Sequence, residues 1–179
     1  FLSLPMDVME AMSSIGIGAP STIDRNAVAG SLPLLASKLA AFTPGKVALI
    51  AGDEIYQSGA ASEVVALAEM LAADVYGSTW PNRIPYPTAH PLWRGNLSTK
   101  ATEINRALGQ YDAIFALGGK SLITILYTEG QAVPEQCKVF QLSADAGDLG
   151  RTYSSELSVV GAIKSSLMVL LPELEKATA

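Results

Sequence analysis

The chain has 179 residues, enough for one domain with a sizeable hydrophobic core, or for one domain and a fragment of another. Charged residues make up only 16% of the chain, the formal net charge is −5, and Lys and Arg form no cluster, so nucleic-acid binding is excluded. No apolar run reaches the roughly 18 to 20 residues of a membrane span, which excludes a membrane protein. A mean hydropathy of +0.30 favours heavily buried strands or a surface that contacts a partner.

The first 42 residues predict a linker followed by helix. Residues 1–4 (FLSL) are typical of the end of a buried strand closed by Pro5, so we expect the chain to be cut from a longer protein. Small residues, among them glycines, indicate a linker over residues 8–23. Helical spacing then runs from Asp24, a predicted N-cap, to residue 42. Pro33 should kink this helix or divide it in two, with Ser31 capping the second part.

From residue 47 onward, apolar runs of strand length alternate with amphipathic segments. The predicted strands cover residues 47–51, 75–79, 113–117, 138–142 and 157–160, and a sixth could lie at 92–96. The predicted helices cover residues 60–73, 98–108, 121–127 and 162–171, the last of them stopped by a proline. This alternation predicts an α/β fold: a Rossmann-like parallel sheet of five to six strands with helices on both faces.

A proline-rich stretch, residues 81–97 (PNRIPYPTAHPLWRGNL), interrupts the alternation and holds the only histidine, His90. Prolines exclude a helix or a central strand here, while the aromatic residues argue against disorder. We therefore expect an ordered loop that presents His90 at the rim of the sheet, seated by Tyr86 or Trp93, with the imidazole substantially accessible to solvent. A lone histidine is more often structural, but this placement raises the case for catalysis.

The loops after the predicted strands lack the usual nucleotide motifs. Asp53 and Glu54 follow the first strand where a dinucleotide site needs glycines, and they would repel phosphate. Gly118-Gly119-Lys120-Ser121 lacks the spacer of a phosphate loop; a tight turn is the favoured interpretation, and an anion at the following helix N-terminus is the alternative.

Other polar and sulfur-bearing residues carry less functional signal. A solvated surface ion pair is the default interpretation of Asp145 and Asp148 with Arg151. Cys137, the only cysteine, excludes an internal disulfide, is typical of a reducing cytoplasm and is predicted to be a buried structural thiol. With one His and one Cys, the chain cannot build an ordinary zinc site.

Five stretches carry a resemblance, namely FLSLPMD, VALIAGDEIYQSGAASEVVALAEMLAADVYGST, PNRIPYPTAHPLWRG, YDAIFALGG and KVFQLSAD. In this order they resemble the central domain of thiamine diphosphate-dependent enzymes. The loop pattern P-x-P-T-x-H-P-x-x-R-G is most similar to that of benzoylformate decarboxylases and related 2-oxo acid decarboxylases. FLSLPMD is similar to the closing strand of the preceding pyrimidine-binding domain.

The resemblance implies a three-domain parent enzyme that holds thiamine diphosphate and Mg²⁺ between its first and third domains. This chain has neither the activating glutamate nor the metal motif of those domains, so we expect no cofactor in the fragment itself. The resemblance assigns His90 to the active site, in proton transfer, as the one catalytic candidate. In some relatives the central domain binds FAD or ADP, so a non-catalytic nucleotide-binding regulatory module is the alternative function.

The expected organisation follows from this resemblance. Residues 1–23 would be the end of the preceding domain plus a linker, residues 24–175 the central domain, and residues 176–179 a tail. The expected partners are the other domains of the parent, an aromatic or other 2-oxo acid substrate, and further copies in a homo-oligomer, with no nucleic acid and no membrane. A cytoplasmic location is expected.

Overall fold

The computed structural model describes residues 2–125 and 127–178. Its centre is a six-stranded, fully parallel sheet in the order β3-β2-β1-β4-β5-β6. The strands are β1 (Val47–Ala51), β2 (Asp74–Gly77), β3 (Trp93–Asn96), β4 (Ala113–Leu117), β5 (Lys138–Ser143) and β6 (Leu157–Val160). The predicted Rossmann-like sheet is confirmed, and the sixth strand is β3, where residues 92–96 suggested it.

The α-helices are α1 (Met6–Glu10), α2 (Leu32–Ala40), α3 (Glu54–Gln57), α4 (Ala61–Leu71), α5 (Ala101–Leu108) and α6 (Ile163–Thr178), and Ala146–Asp148 form a 3₁₀ turn. Alternate residues of each strand point to opposite faces of the sheet. Leu49 and Phe115 belong to the core beneath α2, α4 and α6, whereas Ile50 and Ile114 belong to the core beneath α5. Helices therefore cover both faces, as predicted.

The helix predicted from Asp24 begins later, at Leu32. Asp24 instead accepts a hydrogen bond from the backbone N–H of Asn26 at 2.9 Å, a local turn that competes with helix. Pro33 lies in the first turn of α2, where its missing N–H costs nothing. Ser31 occupies the N-cap as predicted, but its side chain makes no capping hydrogen bond.

The end of α6 also differs from the prediction, because the helix continues through Pro172 to Thr178. Pro172 lies on the exposed side of the helix, and Met168, whose carbonyl loses its partner there, is also exposed. Leu167, Leu170 and Leu174 are fully buried on the opposite side, and that packing carries the helix past the proline. Residues 176–178 of the expected tail thus end α6, and Ala179 lies outside the described residues.

The helix predicted over residues 121–127 is wrong for the part that the structure describes, since residues 121–125 and 127 lie in no helix. Three consecutive β-branched residues, 123–125, disfavour helix. Their backbone groups bond elsewhere: the N–H of Ile123 donates to Thr79 Oγ1 at 2.9 Å, and that of Ile125 to the carbonyl of Thr99 at 3.0 Å. Residue 126 lies outside the described residues.

At the N-terminus, residues 2–4 are exposed and lie in no strand of this chain, and Phe1 lies outside the described residues. The strand end expected there would belong to the sheet of a preceding domain and stays a prediction. The short helix α1, which the sequence did not predict, follows and has no buried residue. Cys137 is buried as predicted, and its thiol donates to the carbonyl of Tyr111 at 3.0 Å. No helix among the described residues is long and apolar enough to cross a membrane.

Candidate functional site

The loops that leave the carboxyl ends of the strands enclose a crevice of about 520 Å³. In this strand order the chain reverses direction along the sheet between β1 and β4, and ligands of open α/β sheets bind at such a point. The crevice is lined by residues of several loops, chiefly Gly52, Asp53, Glu54, Ser78, Gly118, Gly119, Lys120, Asp145 and Asp148.

The glycines bring two of these loops into contact. A Cβ on Gly52 would lie 1.8 Å from the carbonyl oxygen of Gly118, so only glycine fits there. Gly118 itself has φ of +80°, and a Cβ on it would lie 2.7 Å from Cβ of Glu54. The glycines after β1 and β4 thus serve close packing of protein against protein at the centre of the crevice.

The carboxylate of Glu54 crosses from the end of β1 to the end of β5. Its Oε1 accepts a hydrogen bond from the hydroxyl of Ser143 at 2.6 Å, and its Oε2 accepts one from the backbone N–H of Ala144 at 2.8 Å. Donors at the end of a strand are the groups that would hold a ligand anion, and here a carboxylate of the chain itself already occupies them.

The remaining charges make the crevice acidic. Asp53, Glu54, Asp145 and Asp148 line it, against the two cations Arg25 and Lys120. A diphosphate would meet like charge here. Among the described residues, no three His, Cys, Asp or Glu side chains come together as they would to hold a metal ion. The acidic lining therefore does not fit the diphosphate of thiamine diphosphate.

Two sequence-based interpretations of these loops need correction. The predicted helix after Gly118-Gly119 is missing from the described residues, so no helix N-terminus faces an anion; instead Ser121 donates to the carbonyl of Gly119 at 2.5 Å. Arg151 forms no ion pair with a described residue, and Asp145 accepts the backbone N–H of Gly147 at 2.8 Å instead.

His90 lies at the opposite end of the sheet from this crevice. The proline-rich loop leaves the carboxyl end of β2 and returns to the amino end of β3, where the N–H of Trp93 donates to the carbonyl of His90 at 3.0 Å. Val75, near the start of β2, pairs with Trp93. Glu69, the carboxylate nearest the ring, lies in α4 close to the turn that leads into β2.

Both ring nitrogens of His90 have protein partners. Nδ1 lies 3.0 Å from the hydroxyl of Tyr86 and 3.3 Å from the N–H of Leu92, and Nε2 lies 3.4 Å from Oε1 of Glu69. Because the N–H of Leu92 can only donate, Nδ1 is the acceptor, which assigns the proton of the neutral ring to Nε2. The side chain is only 16% exposed, so the expected substantial accessibility is wrong for this chain.

Tyr86 and Trp93, the two residues predicted as alternatives for seating the loop, both take part, and Tyr86 contacts the histidine directly. The ring of Tyr86 contacts the imidazole edge-on, with 5.3 Å between the ring centres, and it stacks on the ring of Trp93 with 5.9 Å between the centres. Burial, together with the nearby charge of Glu69, raises the pKa of the Tyr86 hydroxyl, so it stays protonated at neutral pH and can donate to His90. The arrangement anchors the loop to α4 and to the first residue of β3.

Comparison with known proteins agrees with the resemblance seen in the sequence. The family described as "Thiamine pyrophosphate enzyme, central domain" matches residues 43–170. Benzoylformate decarboxylase of Pseudomonas aeruginosa is 27% identical over 125 residues, which are 70% of this chain and 24% of that protein. The "Probable acetolactate synthase large subunit" of Methanocaldococcus jannaschii is 28% identical over 127 residues, 70% of this chain and 21% of that protein.

A solved structure gives the same result. The thiamine diphosphate-dependent 4-hydroxybenzoylformate decarboxylase of Rhodococcus jostii RHA1 superposes with a TM-score of 0.78 at 26% identity, covering 86% of this chain and 29% of that one. The chain therefore spans less than a third of the length of the relatives that it matches. Since the family match covers well over half of the sequence, the chain belongs to the family of thiamine pyrophosphate enzyme central domains.

Proposed function

We propose that this domain is the middle part of a longer thiamine diphosphate-dependent 2-oxo acid decarboxylase, in which it serves as a scaffold between the domains that hold the cofactor. The observation that carries the proposal is a difference in coverage. The family match spans residues 43–170 of this chain, yet the chain covers only 21–29% of the length of relatives named as enzymes. The histidine-containing proline loop, whose pattern resembles that of benzoylformate decarboxylases, supports the decarboxylase over the synthase.

Thiamine diphosphate and Mg²⁺ would bind to the other domains of the parent. The acid-lined crevice supports this division, because Glu54 occupies the anion donors at the end of β5. The same feature disfavours the alternative, a regulatory module for ADP or FAD. An aromatic 2-oxo acid is the proposed substrate class, supported by the names of the two decarboxylases among the relatives.

The test is an assay of the full-length parent enzyme. We expect CO₂ release from benzoylformate that depends on added thiamine diphosphate and Mg²⁺, with an aldehyde as the organic product. Formation of acetolactate from pyruvate, with no turnover of benzoylformate, would reject the decarboxylase in favour of the synthase. The 179-residue chain alone is expected to release no CO₂ and serves as the negative control.

For His90 we propose a positioning role in the parent: it holds the proline loop on α4 through Tyr86, Leu92 and Glu69. Its two filled ring nitrogens and its place at the amino end of the sheet support this role. The proton transfer that the resemblance implies for His90 stays a prediction for the assembled enzyme. The two roles predict different outcomes for His90→Asn, which keeps a hydrogen-bond acceptor but cannot transfer a proton as the imidazole does.

The proposed domain boundary lies near residue 24. The carbonyl of Ala27 accepts the N–H of Ala162 at 2.8 Å, and the side chain of Asn26 accepts the hydroxyl of Ser165 at 3.2 Å, so residues from about 26 onward are tied to the start of α6. Residues 2–23 are exposed throughout, which supports their interpretation as the linker from a preceding domain. A cytoplasmic location and a homo-oligomeric parent are further parts of the proposal; the free buried thiol of Cys137 supports the first.

A further inference from the structure

A smaller hollow, of about 280 Å³, lies over strands β4 and β5 on the face of the sheet that α5 covers. Its floor consists of Ile114 and Ala116 of β4 and Val139 of β5, each of them 5% exposed or less. Leu122 and Tyr153, from two different loops, form apolar walls. The hollow can therefore surround the apolar part of a small ligand.

The connections between the strands explain why this hollow exists. Crossovers between parallel strands are right-handed, so those from β4 to β5 and from β5 to β6 pass over the same face of the sheet as α5. Helices normally cover both faces of a parallel sheet, but neither crossover has an α-helix among its described residues. Loop residues 120–123 and 151–153 lie over β4 and β5 instead, and they enclose space that a helix would have filled.

The rim of the hollow carries two positively charged side chains, Lys120 and Arg151, and one carboxylate, that of Asp148. Lys120 and Arg151 form no ion pair with any residue that the structure describes. An anion at the rim would therefore gain two cationic partners without displacing an existing one. The carboxylate of Asp148 disfavours a group with two negative charges, such as a phosphate monoester, so the rim fits a single negative charge.

Two neutral donors also line the hollow. The side-chain oxygen of Gln141 accepts hydrogen bonds from the N–H of Gly150 at 2.8 Å and from the hydroxyl of Ser158 at 2.9 Å, which fixes the orientation of the amide. The NH₂ group of Gln141 has no partner in the described part of the chain, so it is left to donate to a ligand. Burial raises the pKa of the Tyr153 hydroxyl, which is therefore protonated at neutral pH and can donate as well.

We infer that this hollow binds a small aromatic carboxylate. An apolar floor on a flat sheet suits an aromatic ring, and two cations with two neutral donors suit one carboxylate. A water molecule takes up about 30 Å³ of the liquid, so 280 Å³ has room for roughly nine groups of that size, which fits benzoate and is too small for a nucleotide. The inference does not depend on the proposed function, although benzoylformate belongs to the same class of ligand.

Titration of the ¹⁵N-labelled 179-residue chain with benzoate, followed by NMR, tests the inference. We expect saturable shifts of the backbone signals of Ile114, Ala116 and Tyr153, with a Kd of about 1 mM, an affinity that so small a ligand can reach. Benzyl alcohol has the ring without the charge and acetate has the charge without the ring, so each should bind at least about tenfold more weakly. Equal affinity for benzyl alcohol, tighter binding of inorganic phosphate, or no saturable shift at these residues would overturn the inference.

Substitutions separate the contribution of charge from that of shape. Arg151→Gln is expected to raise the Kd for benzoate about tenfold, because it removes a charge-assisted hydrogen bond at an exposed position where the fold should not depend on it. Ala116→Val fills part of the floor with a residue that strands favour, and it should weaken binding by a similar factor. Arg106→Gln, at an exposed arginine of α5 outside the hollow, is the matched control and should leave the Kd unchanged.

Equal weakening by Arg151→Gln and Arg106→Gln would indicate a general effect of charge and would contradict the inference. Because the titration uses the 179-residue chain alone, a negative result rejects the binding site and leaves the proposed decarboxylase standing. A parent enzyme that fails to turn over benzoylformate, with saturable benzoate binding to this chain, would reject the proposed function alone.

Discussion

His90 is a residue whose chemistry suggested one role and whose contacts support another. A histidine with both nitrogens bonded inside its own domain stabilises a loop conformation, whereas an acid–base catalyst needs one nitrogen that reaches the substrate. Nδ1 accepts from Leu92 and lies beside Tyr86, and Nε2 is directed at Glu69. The hydrogen bonds of His90 therefore stabilise the conformation of the loop, in addition to its prolines.

His90→Ala is expected to lower the free energy of unfolding of the 179-residue chain by about 1–2 kcal/mol, because Tyr86 and Leu92 lose their shared acceptor. His90→Asn keeps an acceptor near the position of Nδ1 but cannot transfer a proton in its place. Urea denaturation of both variants should show Asn recovering most of the loss. In the full-length parent, turnover that falls alike for Ala and Asn, with the stability of the Asn variant retained, would instead support proton transfer by His90.

The buried thiol of Cys137 is expected to make the free energy of unfolding fall as the pH rises. Burial, with a smaller contribution from the charge of Asp112, raises the pKa of its thiol to about 11, above the ordinary value of 9.0. Between these two values the unfolded chain releases the thiol proton while the folded chain retains it. The contribution of the thiol to the free energy of unfolding is therefore fully present below about pH 9 and declines toward pH 11, by at most about 1.4 kcal/mol per pH unit.

Comparing wild type with Cys137→Ala isolates this contribution, because Tyr86, Tyr111 and Tyr153, whose pKa values are also raised, titrate in both proteins. Denaturant melts at pH 8, 9, 10 and 11 should show wild type losing more stability than the variant, by on the order of 1–2 kcal/mol. Parallel pH profiles for the two proteins would show that the thiol is not held protonated by the fold.

At the scale of elements, α6 shows packing overriding a local helix breaker. Pro172 removes one backbone donor, and the affected turn faces solvent, whereas Leu167, Leu170 and Leu174 on the other side are fully buried. Burial of a leucine contributes roughly 1.5–3 kcal/mol, comparable to the cost of about 3 kcal/mol for an interior proline, so three leucines outweigh it. The helix persists because its apolar stripe does not include position 172.

Pro172→Ala is therefore expected to stabilise the 179-residue chain by about 1–3 kcal/mol, since it restores a donor for the carbonyl of Met168 in a helix that already exists. Pro33→Ala is the matched control, because a proline in the first turn of α2 removes no helical hydrogen bond and should give no gain. Differential scanning calorimetry measures both. A decrease in melting temperature for Pro172→Ala would contradict this account of α6.

On the scale of the whole molecule, the chain divides into a packed body and an exposed leading segment. Residues 2–23 bury no side chain, although they include large apolar residues such as Met12 and Ile17, each 99% exposed. The packed body begins near Ala27, whose carbonyl accepts a hydrogen bond from the N–H of Ala162, beside Gly161. The two parts should therefore differ sharply in their contribution to stability.

Deletion of residues 1–23 is expected to change the free energy of unfolding by less than about 0.5 kcal/mol, as for changes to exposed positions. Deletion of residues 1–29 should cost about 1–2 kcal/mol, because Ala162 loses its backbone acceptor and the partly buried Ala29 is removed. Guanidinium melts of the two truncated chains and the whole chain provide the comparison. A large loss on the first deletion would place the boundary N-terminal to residue 24.

Much of the fold could be predicted from the sequence because its signals are local. Residues 47–51 and 113–117 are continuous apolar runs, and runs of this kind form the central strands of parallel sheets whose two faces are both covered. The amphipathic period at residues 60–73 predicted α4 for the same reason. The resemblance across the five stretches then indicated the family, which the match over residues 43–170 confirms.

Tertiary structure decided the rest, because those features depend on pairs far apart in the chain. Glu54 meets Ser143 across 89 residues, and only the neighbouring ends of β1, β4 and β5 bring them together. His90 lies at the amino end of the sheet because β3 is parallel to β2 and must begin at the same edge of the sheet. The loop that carries His90 therefore runs from the carboxyl end of β2 back to the amino end of β3. Local sequence predicts which elements form, whereas the direction of each crossover determines which side chains meet.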